Sequence, residues 1–274
     1  MRIGYQGERG SYSFRAVGEL FPECEPVGIK GFAAAFAALE GGAVDRLVVP
    51  VENSTTGSVL PVLDRLPGDG GRQPFAIIAE HLVEVRHAIL GLPGAAIGEI
   101  REVRSHPEAL AQAERHLLEL GVEAKPRYDT AGAVREVAEL GDPAVAALAP
   151  PDAAALYGLE ILQRDVLDRE HNTTRFVVLA PGAPEVDPGD DKTTMLFTTS
   201  HTPGALALVL AELGLRGANL TRIESRPSAE RWSYRFFVDL VHEPGPAGLA
   251  RVIDPPPATC ADLRVLGSYV RAVG

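Results

Sequence analysis

The chain has 274 residues, of which 46% are apolar, and its mean hydropathy is +0.04. A chain of this length can form one large or two ordinary domains, with enough residues for a hydrophobic core in each. The formal net charge is −11 at pH 7, whereas nucleic acids and anionic membranes require a basic face on the protein that binds them. Its composition therefore argues against both partners and favours a small-molecule ligand.

The N-terminal sequence MRIGYQGERG has no apolar segment of the kind that signal peptides carry, and no uncharged apolar run is long enough to span a bilayer. A cytoplasmic location is therefore predicted. Cys24 and Cys260 lie far apart and outside any Cys-x-x-Cys pattern, so we interpret them as small buried residues. The histidines show no spacing typical of metal ligands, and His106, directly before Pro107, is interpreted as part of a helix cap.

Strand-like and helix-like segments alternate through the first 180 residues. This pattern is typical of α/β domains with a largely parallel sheet, and it predicts two similar lobes. One lobe is expected to comprise residues 1–78 with 163–180, and the other residues 79–162. In chain order the predicted strands are MRIGYQ, EPVGI, DRLVVPV, a pair within FAIIAEHLVEVRHAILGL, REVRSH, EAKPRY and AVAALA, and the helices between them begin near Ser11, Gly31, Gly57, Pro107, Thr130 and Pro151.

The clearest break in this pattern is APGAPEVDPGDDK, residues 180–192, which is rich in proline, glycine and acidic residues. It predicts a linker over residues 181–192 between a first region, 1–180, and a second, 193–274. The second region has the order βαββαβ, which is the ferredoxin-like split arrangement. Its predicted elements are TTMLFTTS, PGALALVLAELGLRG, ANLTRIESRP, WSYRFFVDLVH, PAGLARVI and DLRVLGSYV, and Trp232, Tyr234, Phe236, Val238 and Leu240 are expected to face one side of the fourth of these.

Several strand-to-helix turns of the first region carry hydroxyl or amide side chains. In an open parallel sheet such turns meet at the carboxyl edge, where free helix N–H groups attract anions. Two lobes that face each other there would enclose a small acid, although each side chain is equally typical of an ordinary helix cap. The side chains are those of Ser11 and Ser13, of residues 53–56, of Ser105 and of Thr130.

Three motifs indicate a protein family: PVENSTTGSV at residues 50–59, SHPEALAQ at 105–112 and NTTRF at 172–176. A tail with GALALVL and ESRP follows them. With these features the chain resembles the prephenate dehydratases nearly from end to end. The resemblance implies a bilobal, type II periplasmic-binding-protein-like catalytic region followed by a regulatory ACT domain. It also implies a cofactor-free reaction, the conversion of prephenate to phenylpyruvate, water and carbon dioxide in phenylalanine synthesis.

The resemblance implies roles for four catalytic-site residues. Thr174 is expected to donate a hydrogen bond to the departing hydroxyl or to relay a proton to it. Arg175 is suited to bind a substrate carboxylate, with a structural ion pair as the alternative. Glu52 is expected to accept or supply a proton, unless it is a buried carboxylate held by backbone N–H groups. Phe176 forms either the core or a wall of the pocket.

The substrate-binding residues that the resemblance implies follow from the same motifs. Ser105 is placed at the cap of a helix and Gln112 two turns further along the same face, so that both reach one ligand. Glu108 and Ala113 depart from the residues that are common in the family and leave the detail of the pocket open. The expected substrate-binding residues are Asn53, Ser54, Ser105, Gln112, Thr130 and Phe176.

The tail is expected to bind phenylalanine between paired ACT domains, in a homodimer or homotetramer. The alternative is that Gly204 simply starts a helix and that Glu224 and Arg226 form a surface pair. The residues implied for this allosteric site are Gly204, Ala205, Leu206, Asn219, Leu220, Glu224, Ser225, Arg226 and Pro227.

Three other functions stay open at this point. An arogenate dehydratase runs the same chemistry on the transaminated substrate. A non-enzymatic amino-acid sensor is possible for a bilobal acid-binding region joined to an ACT domain, although the intact Thr174–Arg175 motif argues against it. A fusion with chorismate mutase is disfavoured, because the sequence starts directly with the first strand.

Overall fold

The computed structural model describes residues 1–68, 74–169, 171–228 and 232–273. The chain forms two compact units: unit 1 is Met1–Ala35, Glu52–Gly57 and Val83–Arg175, and unit 2 is Phe36–Val51, Ser58–Leu82 and Phe176–Gly274. Unit 2 combines part of the predicted first region with the whole of the second. The predicted boundaries at residues 180 and 193 therefore stay a prediction.

Strands and helices alternate as the sequence indicates. A short 3₁₀ turn at Ile97–Glu99 interrupts the series. The elements up to residue 181 are β1 (Arg2–Gln6), α1 (Tyr12–Leu20), β2 (Glu25–Ile29), α2 (Phe32–Glu40), β3 (Arg46–Asn53), β4 (Gly57–Ser58), α3 (Leu60–Leu63), β5 (Phe75–Glu84), β6 (Ala88–Gly91), β7 (Glu102–Ser105), α4 (Pro107–Gln112), α5 (Glu114–Leu120), β8 (Glu123–Pro126), α6 (Thr130–Leu140), β9 (Val145–Ala149), α7 (Ala153–Tyr157), β10 (Glu160–Gln163) and β11 (Thr173–Pro181).

The remaining elements have the order βαββαβ. They are β12 (Lys192–Thr199), α8 (Ala205–Leu215), β13 (Asn219–Pro227), β14 (Tyr234–Val241), α9 (Pro246–Ile253) and β15 (Cys260–Tyr269).

Unit 1 contains a five-stranded sheet in the order β10-β6-β9-β7-β8, and β1 pairs with β2 in parallel. β7 is parallel to both of its neighbours, whereas β6 is antiparallel to β9 and β10. The central strand β9 is buried along its whole length because helices cover both faces. Its alternate residues enter two cores: Ala147 packs with Val134 and Ala153, and Leu148 packs with the α4–α5 side.

Polar side chains cap α1, α4 and α6 of unit 1. Ser11 caps α1 by accepting from the N–H of Phe14 over 3.2 Å. His106 caps α4 through the N–H of Glu108, and Pro107 takes the first helical position, so the predicted cap at His106 is confirmed. The predicted cap at Ser105 is wrong, because Ser105 is the last residue of β7. Asp129 caps α6, and Thr130 is its first helical residue.

The tail has the predicted ferredoxin-like arrangement, with antiparallel strands in the order β13-β14-β12-β15. Its core joins β12 and β14 with one face of α8 and of α9, as the contacts of Met195, Val238, Val209 and Leu249 show. Phe236, Val238 and Leu240 face this core from one side of β14, as the alternation predicts. Tyr234, the first residue of the strand, is 47% exposed. The prediction is wrong for Trp232, which precedes the strand and is 83% exposed.

In unit 2 the last strand, β15, also pairs in parallel with β5, where Gly267 faces Ile77. The pairing requires glycine, because a Cβ atom at position 267 would lie 2.0 Å from the carbonyl oxygen of Ile77. The α/β class and the ferredoxin-like tail predicted from the sequence are thus confirmed. Within the ranges described, no helix is both long and apolar enough to cross a membrane.

Candidate active site

The side chain of Asn53, at the end of β3, organises the turn that follows it. Its Oδ1 accepts hydrogen bonds from the backbone N–H groups of Thr55, at 2.9 Å, and Thr56, at 3.1 Å, and from the Thr55 hydroxyl at 2.7 Å. A backbone N–H can only donate, so these contacts fix which end of the amide is the oxygen. The Nδ2 group of Asn53 therefore points away from its own turn.

This Nδ2 group donates to Asn172, directly before β11, and to Thr174 in β11. It lies 2.7 Å from Oδ1 of Asn172 and 2.9 Å from Oγ1 of Thr174. Ser54 adds two hydrogen bonds between the Asn53 turn and the start of β11. Its N–H donates to the carbonyl of Thr173, and its Oγ accepts from the N–H of Thr173, both at 2.9 Å. The structure thus brings the neighbours Asn53 and Ser54 to the start of β11, where Thr174 lies 121 residues after Asn53 along the chain.

Gln112, the last residue of α4, joins this cluster. Its Oε1 accepts from Nδ2 of Asn172 over 2.9 Å, and its Nε2 lies 3.5 Å from the Thr55 hydroxyl. Asn53, Asn172, Gln112 and Thr55 thereby form a closed ring of side-chain hydrogen bonds. Such a ring leaves each amide one orientation in which every donor meets an acceptor.

Ser105 does not join the ring. It is fully buried, and its hydroxyl donates to the carbonyl of Leu148 over 2.5 Å. This bond links β7 to the adjacent strand β9, so Ser105 has a structural partner. The expectation that Ser105 and Gln112 reach one ligand stays a prediction.

Two residues that sequence reasoning missed, His87 and Tyr12, extend the ring. His87 is 2% exposed; its Nε2 lies 3.2 Å from Oε1 of Gln112 and its Nδ1 lies 3.0 Å from the hydroxyl of Tyr12. Tyr12 also donates to the carbonyl of Arg86 over 2.5 Å. Burial lowers the pKa of His87 to about 4, against the opposing effect of its bond with Gln112. Burial likewise raises the pKa of the Tyr12 phenol far above its ordinary value.

Arg175 and Glu52 form an ion pair next to Thr174 and Asn53. Both Nε and Nη2 of Arg175 lie 3.1 Å from Oε2 of Glu52. The arginine side chain is 8% exposed and that of the glutamate 37%. The ion pair that sequence analysis kept as an alternative is therefore present. Phe176, the next residue, is 1% exposed and belongs to the core.

Unit 1 also contains a cavity of about 320 Å³ near the start of α6. Its wall includes the ion pairs Arg135–Glu8 and Arg127–Glu136, so most of its charges are already matched. Thr130 adjoins the wall residue Asp129, and no residue of the amide ring is part of the wall. Among the residues that the structure describes, no three His, Cys, Asp or Glu side chains are grouped to hold a metal ion.

The ESRP motif lies on β13 in unit 2, and two of its side chains bind residues between the end of β4 and the end of α3. Glu224 accepts from the hydroxyl of Ser58 over 2.8 Å. Arg226 donates to both carboxylate oxygens of Asp64, at 2.8 and 2.7 Å. Glu224 and Arg226 thus bind other partners rather than form the surface pair considered above.

The remaining residues of the expected phenylalanine site lie around α8 and β13. Gly204 caps α8 with φ of +81°, a left-handed conformation that favours glycine. Ala205 is buried at the start of α8, and Leu206 and Leu220 pack against the core of the tail. Asn219, Ser225 and Pro227 are exposed on β13.

Comparisons with known proteins agree with the motifs. A family model for prephenate dehydratase matches residues 3–183. Over 98% of its length the chain is 38% identical to arogenate dehydratase/prephenate dehydratase 2, chloroplastic, of Arabidopsis thaliana, and it covers 72% of that protein.

Two solved structures are similar to this chain over 99% of its length. One is GqqA, described as a novel type of quorum quenching acylase, with a TM-score of 0.88, 33% identity and 98% of that chain covered. The other is a prephenate dehydratase in complex with L-Phe from Arthrobacter aurescens, with a TM-score of 0.83, 29% identity and 90% covered. Since the family model spans more than half of the sequence, including the Asn53 turn and the start of β11, the chain belongs to the prephenate dehydratase family.

Proposed function

We propose that this lyase converts prephenate into phenylpyruvate, water and carbon dioxide, and that Thr174 donates the hydrogen bond that helps the ring hydroxyl to leave. One observation carries the role of Thr174. Its Oγ1 accepts a hydrogen from Asn53 over 2.9 Å, so the proton of the hydroxyl is directed elsewhere. A hydroxyl that is held as an acceptor on one side is positioned to donate on the other.

The reaction needs this donor because hydroxide is a poor leaving group. The carbon–carbon bond to the ring carboxylate breaks, carbon dioxide leaves, and the electron pair of that bond enters the ring. The carbon–oxygen bond at the opposite ring carbon then breaks, and the departing oxygen takes up a proton to leave as water. The ring becomes aromatic, so the protein mainly has to orient the substrate and stabilise the charge on that oxygen.

Arg175 is the proposed partner of a substrate carboxylate. Its Nε and Nη2 are bound to Glu52, which fixes the plane of the guanidinium next to Thr174. A guanidinium of fixed plane suits a carboxylate, since it presents its N–H groups in a fork. Glu52 acts in this proposal by orienting Arg175, and Asn53, Ser54 and Gln112 form the polar surface around the substrate.

The substrate itself is decided by a direct assay. Purified protein is incubated with prephenate or with arogenate in the presence of a chelator, and phenylpyruvate and phenylalanine are quantified. Arogenate is the second candidate, because the Arabidopsis relative carries both names. Faster turnover of prephenate supports the proposal, and faster turnover of arogenate replaces it. Absence of turnover with both substrates would leave the amino-acid sensor.

For regulation, we infer that the tail is an ACT domain that binds phenylalanine, as the L-Phe complex of the Arthrobacter aurescens structure suggests. Gly204 to Leu206 and Asn219 to Leu220, with Ser225 and Pro227, are the proposed contacts. Glu224 and Arg226 have a second proposed role, because their partners Ser58 and Asp64 follow the Asn53 turn in the chain. They would pass a shift of the tail to that turn. Inhibition assays with phenylalanine test this role.

We also propose that the protein is a homodimer or homotetramer in the cytoplasm. β13 is the terminal strand of its sheet, and Ile223, at its middle, is 46% exposed. A long edge strand with unpaired backbone groups can pair with a second copy of itself. The molar mass from light scattering measures this assembly.

A further inference from the structure

We propose that His87 is a positioning residue for this reaction: by donating to Gln112 it helps to hold Gln112, Asn172 and Asn53 in place, and with them the Thr174 hydroxyl. The inference rests on the proposed role of Thr174. His87 touches neither Thr174 nor Asn53 in any described contact, so its effect has to pass along the hydrogen-bond chain.

The chain starts from an amide whose orientation is fixed by the backbone. Oδ1 of Asn53 accepts from the N–H groups of Thr55 and Thr56. If the amide were turned over, its NH₂ group would face two other donors, which costs the hydrogen bonds of all three groups. Nδ2 of Asn53 is therefore the group that faces Asn172 and Thr174.

The orientation passes to two further amides. The oxygen of Asn172 must face Nδ2 of Asn53, so its Nδ2 faces Gln112 and donates to Oε1 over 2.9 Å. Oε1 of Gln112 is consequently an acceptor, and it is also the atom that faces His87. Each amide in the series thus has its direction set by the one before it.

The oxygen of Gln112 fixes the role of one nitrogen in the His87 ring. Nε2 lies 3.2 Å from an oxygen that cannot donate, so Nε2 has to carry a hydrogen. On the other side of the ring, Nδ1 lies 3.0 Å from the hydroxyl of Tyr12, which donates to the carbonyl of Arg86. The ring of Tyr12 also packs against the imidazole, with the ring centres 5.6 Å apart.

This arrangement gives His87 a function that burial alone does not require. Without the Nε2 hydrogen, Oε1 of Gln112 loses one of its two described hydrogen bonds, so the side chain of Gln112 is held less firmly. Asn172 and Asn53 are bound to Gln112 in series, so the contact of Asn53 with Thr174 is held less firmly as well. A small misplacement of a catalytic group can lower a rate by up to about a hundredfold.

The variants His87→Gln and His87→Met test the proposal, because glutamine can place a donor near the position of Nε2 and methionine cannot. We expect kcat for His87→Met to fall at least about tenfold with KM within about twofold, as for loss of positioning without loss of binding. His87→Gln should recover kcat to within about threefold of the wild type. The matched control is His242→Met, since His242 is also buried and hydrogen-bonded but lies in unit 2. It should retain the full kcat.

A spectroscopic measurement separates this proposal from the assigned reaction. In ¹⁵N-histidine-labelled wild-type protein the shifts of the two ring nitrogens identify which one carries hydrogen, and the His87 signals are those lost in His87→Gln. A hydrogen on Nε2 at pH 7 supports the proposal. A bare Nε2, or a kcat in folded His87→Met equal to that of the wild type, overturns it. Neither result depends on which substrate is used, whereas a failure of the assigned reaction would appear in the turnover assay alone.

Discussion

The amide of Asn53 donates to the hydroxyl of Thr174 over 2.9 Å while its own oxygen is held by the backbone N–H groups of Thr55 and Thr56. The direction of this bond decides what Thr174 can do. Because the hydroxyl accepts from Asn53, it keeps its own proton for the substrate. If the side chain at position 53 presented an acceptor instead, the Thr174 hydroxyl would donate its proton to that side chain.

Replacing Thr174 should therefore abolish most of the activity. We expect Thr174→Val, which keeps the shape but lacks the hydroxyl, to lower kcat by at least about a hundredfold, the usual contribution of a positioned proton donor. Thr174→Ser keeps the hydroxyl and should retain far more activity. The release of phenylpyruvate measures both rates. Equal rates for Thr174→Val and the wild type would remove Thr174 from the mechanism.

Asn53→Asp tests the direction of the bond with almost no change in shape. The Asp oxygen that replaces Nδ2 would accept the proton of Thr174, so we expect a loss of kcat as large as that of Thr174→Val, at least about a hundredfold. The other Asp oxygen can still accept from the N–H groups of Thr55 and Thr56. Circular dichroism should therefore show a folded protein. High activity of Asn53→Asp at pH 7 would contradict the assigned direction.

His87 should make the protein sensitive to acid. Its pKa is about 4 in the fold, where burial disfavours the charged ring, against an ordinary value of 6.5. As the pH falls from 6.5 to 4, the unfolded chain binds a proton that the folded protein does not, so stability is lost in this window. We expect the Tm of the wild type to fall more steeply over this range than that of His87→Gln. Parallel Tm curves for the two proteins would show that His87 is already charged in the fold.

We expect the ion pair between Arg226 and Asp64 to transmit the effect of phenylalanine from the tail to the Asn53 turn. We expect Asp64→Asn to raise the phenylalanine concentration for half-inhibition at least about fivefold, the lower end of usual coupling. The affinity for phenylalanine, measured by calorimetry, should change less. Arg251→Gln is the control, because Arg251 pairs with Glu243 at the surface, and it should leave inhibition unchanged. If phenylalanine inhibits Asp64→Asn at the same concentrations as the wild type, another contact carries the coupling.

The exposed edge strand β13 should mediate assembly. A charge at position 223 would be placed against the partner strand, so Ile223→Lys should lower the molar mass measured by light scattering at micromolar concentration. The wild type should have at least the mass of a dimer. A monomeric mass for the wild type would refute the proposed assembly. An oligomeric mass for Ile223→Lys equal to that of the wild type would show that the interface does not involve β13.

The elements that the sequence predicted well are those set by local pattern. The buried strand β9 and the inward face of β14 follow from apolar periodicity, and the cap at Ser11 follows from a polar residue before an apolar helix. The family resemblance also assigned Asn53, Gln112 and Thr174, from three separate motifs, to one site. The signal for each residue or element lies within a few residues or within a single motif.

The remainder depends on contacts between distant parts of the chain. His87 lies in an apolar run, VRHAILGL, where nothing distinguishes a hydrogen-bonded histidine from a packed one. Ser105 and His106 are both able to cap a helix, and only the length of β7 decides between them. The partners of Glu224 and Arg226 are 166 and 162 residues away in the sequence, beyond the reach of any local pattern.

The parallel pairing of β5 with β15 has a consequence for how the protein is made. In the sheet β5 lies between β15 and β11, and both of these neighbours follow it in the sequence. A ribosome therefore produces the apolar strand Phe75–Glu84 long before either neighbour exists, and both of its edges stay open during most of synthesis. The backbone amides of β5 that face β15 should gain protection from hydrogen exchange only after the last residues have left the ribosome.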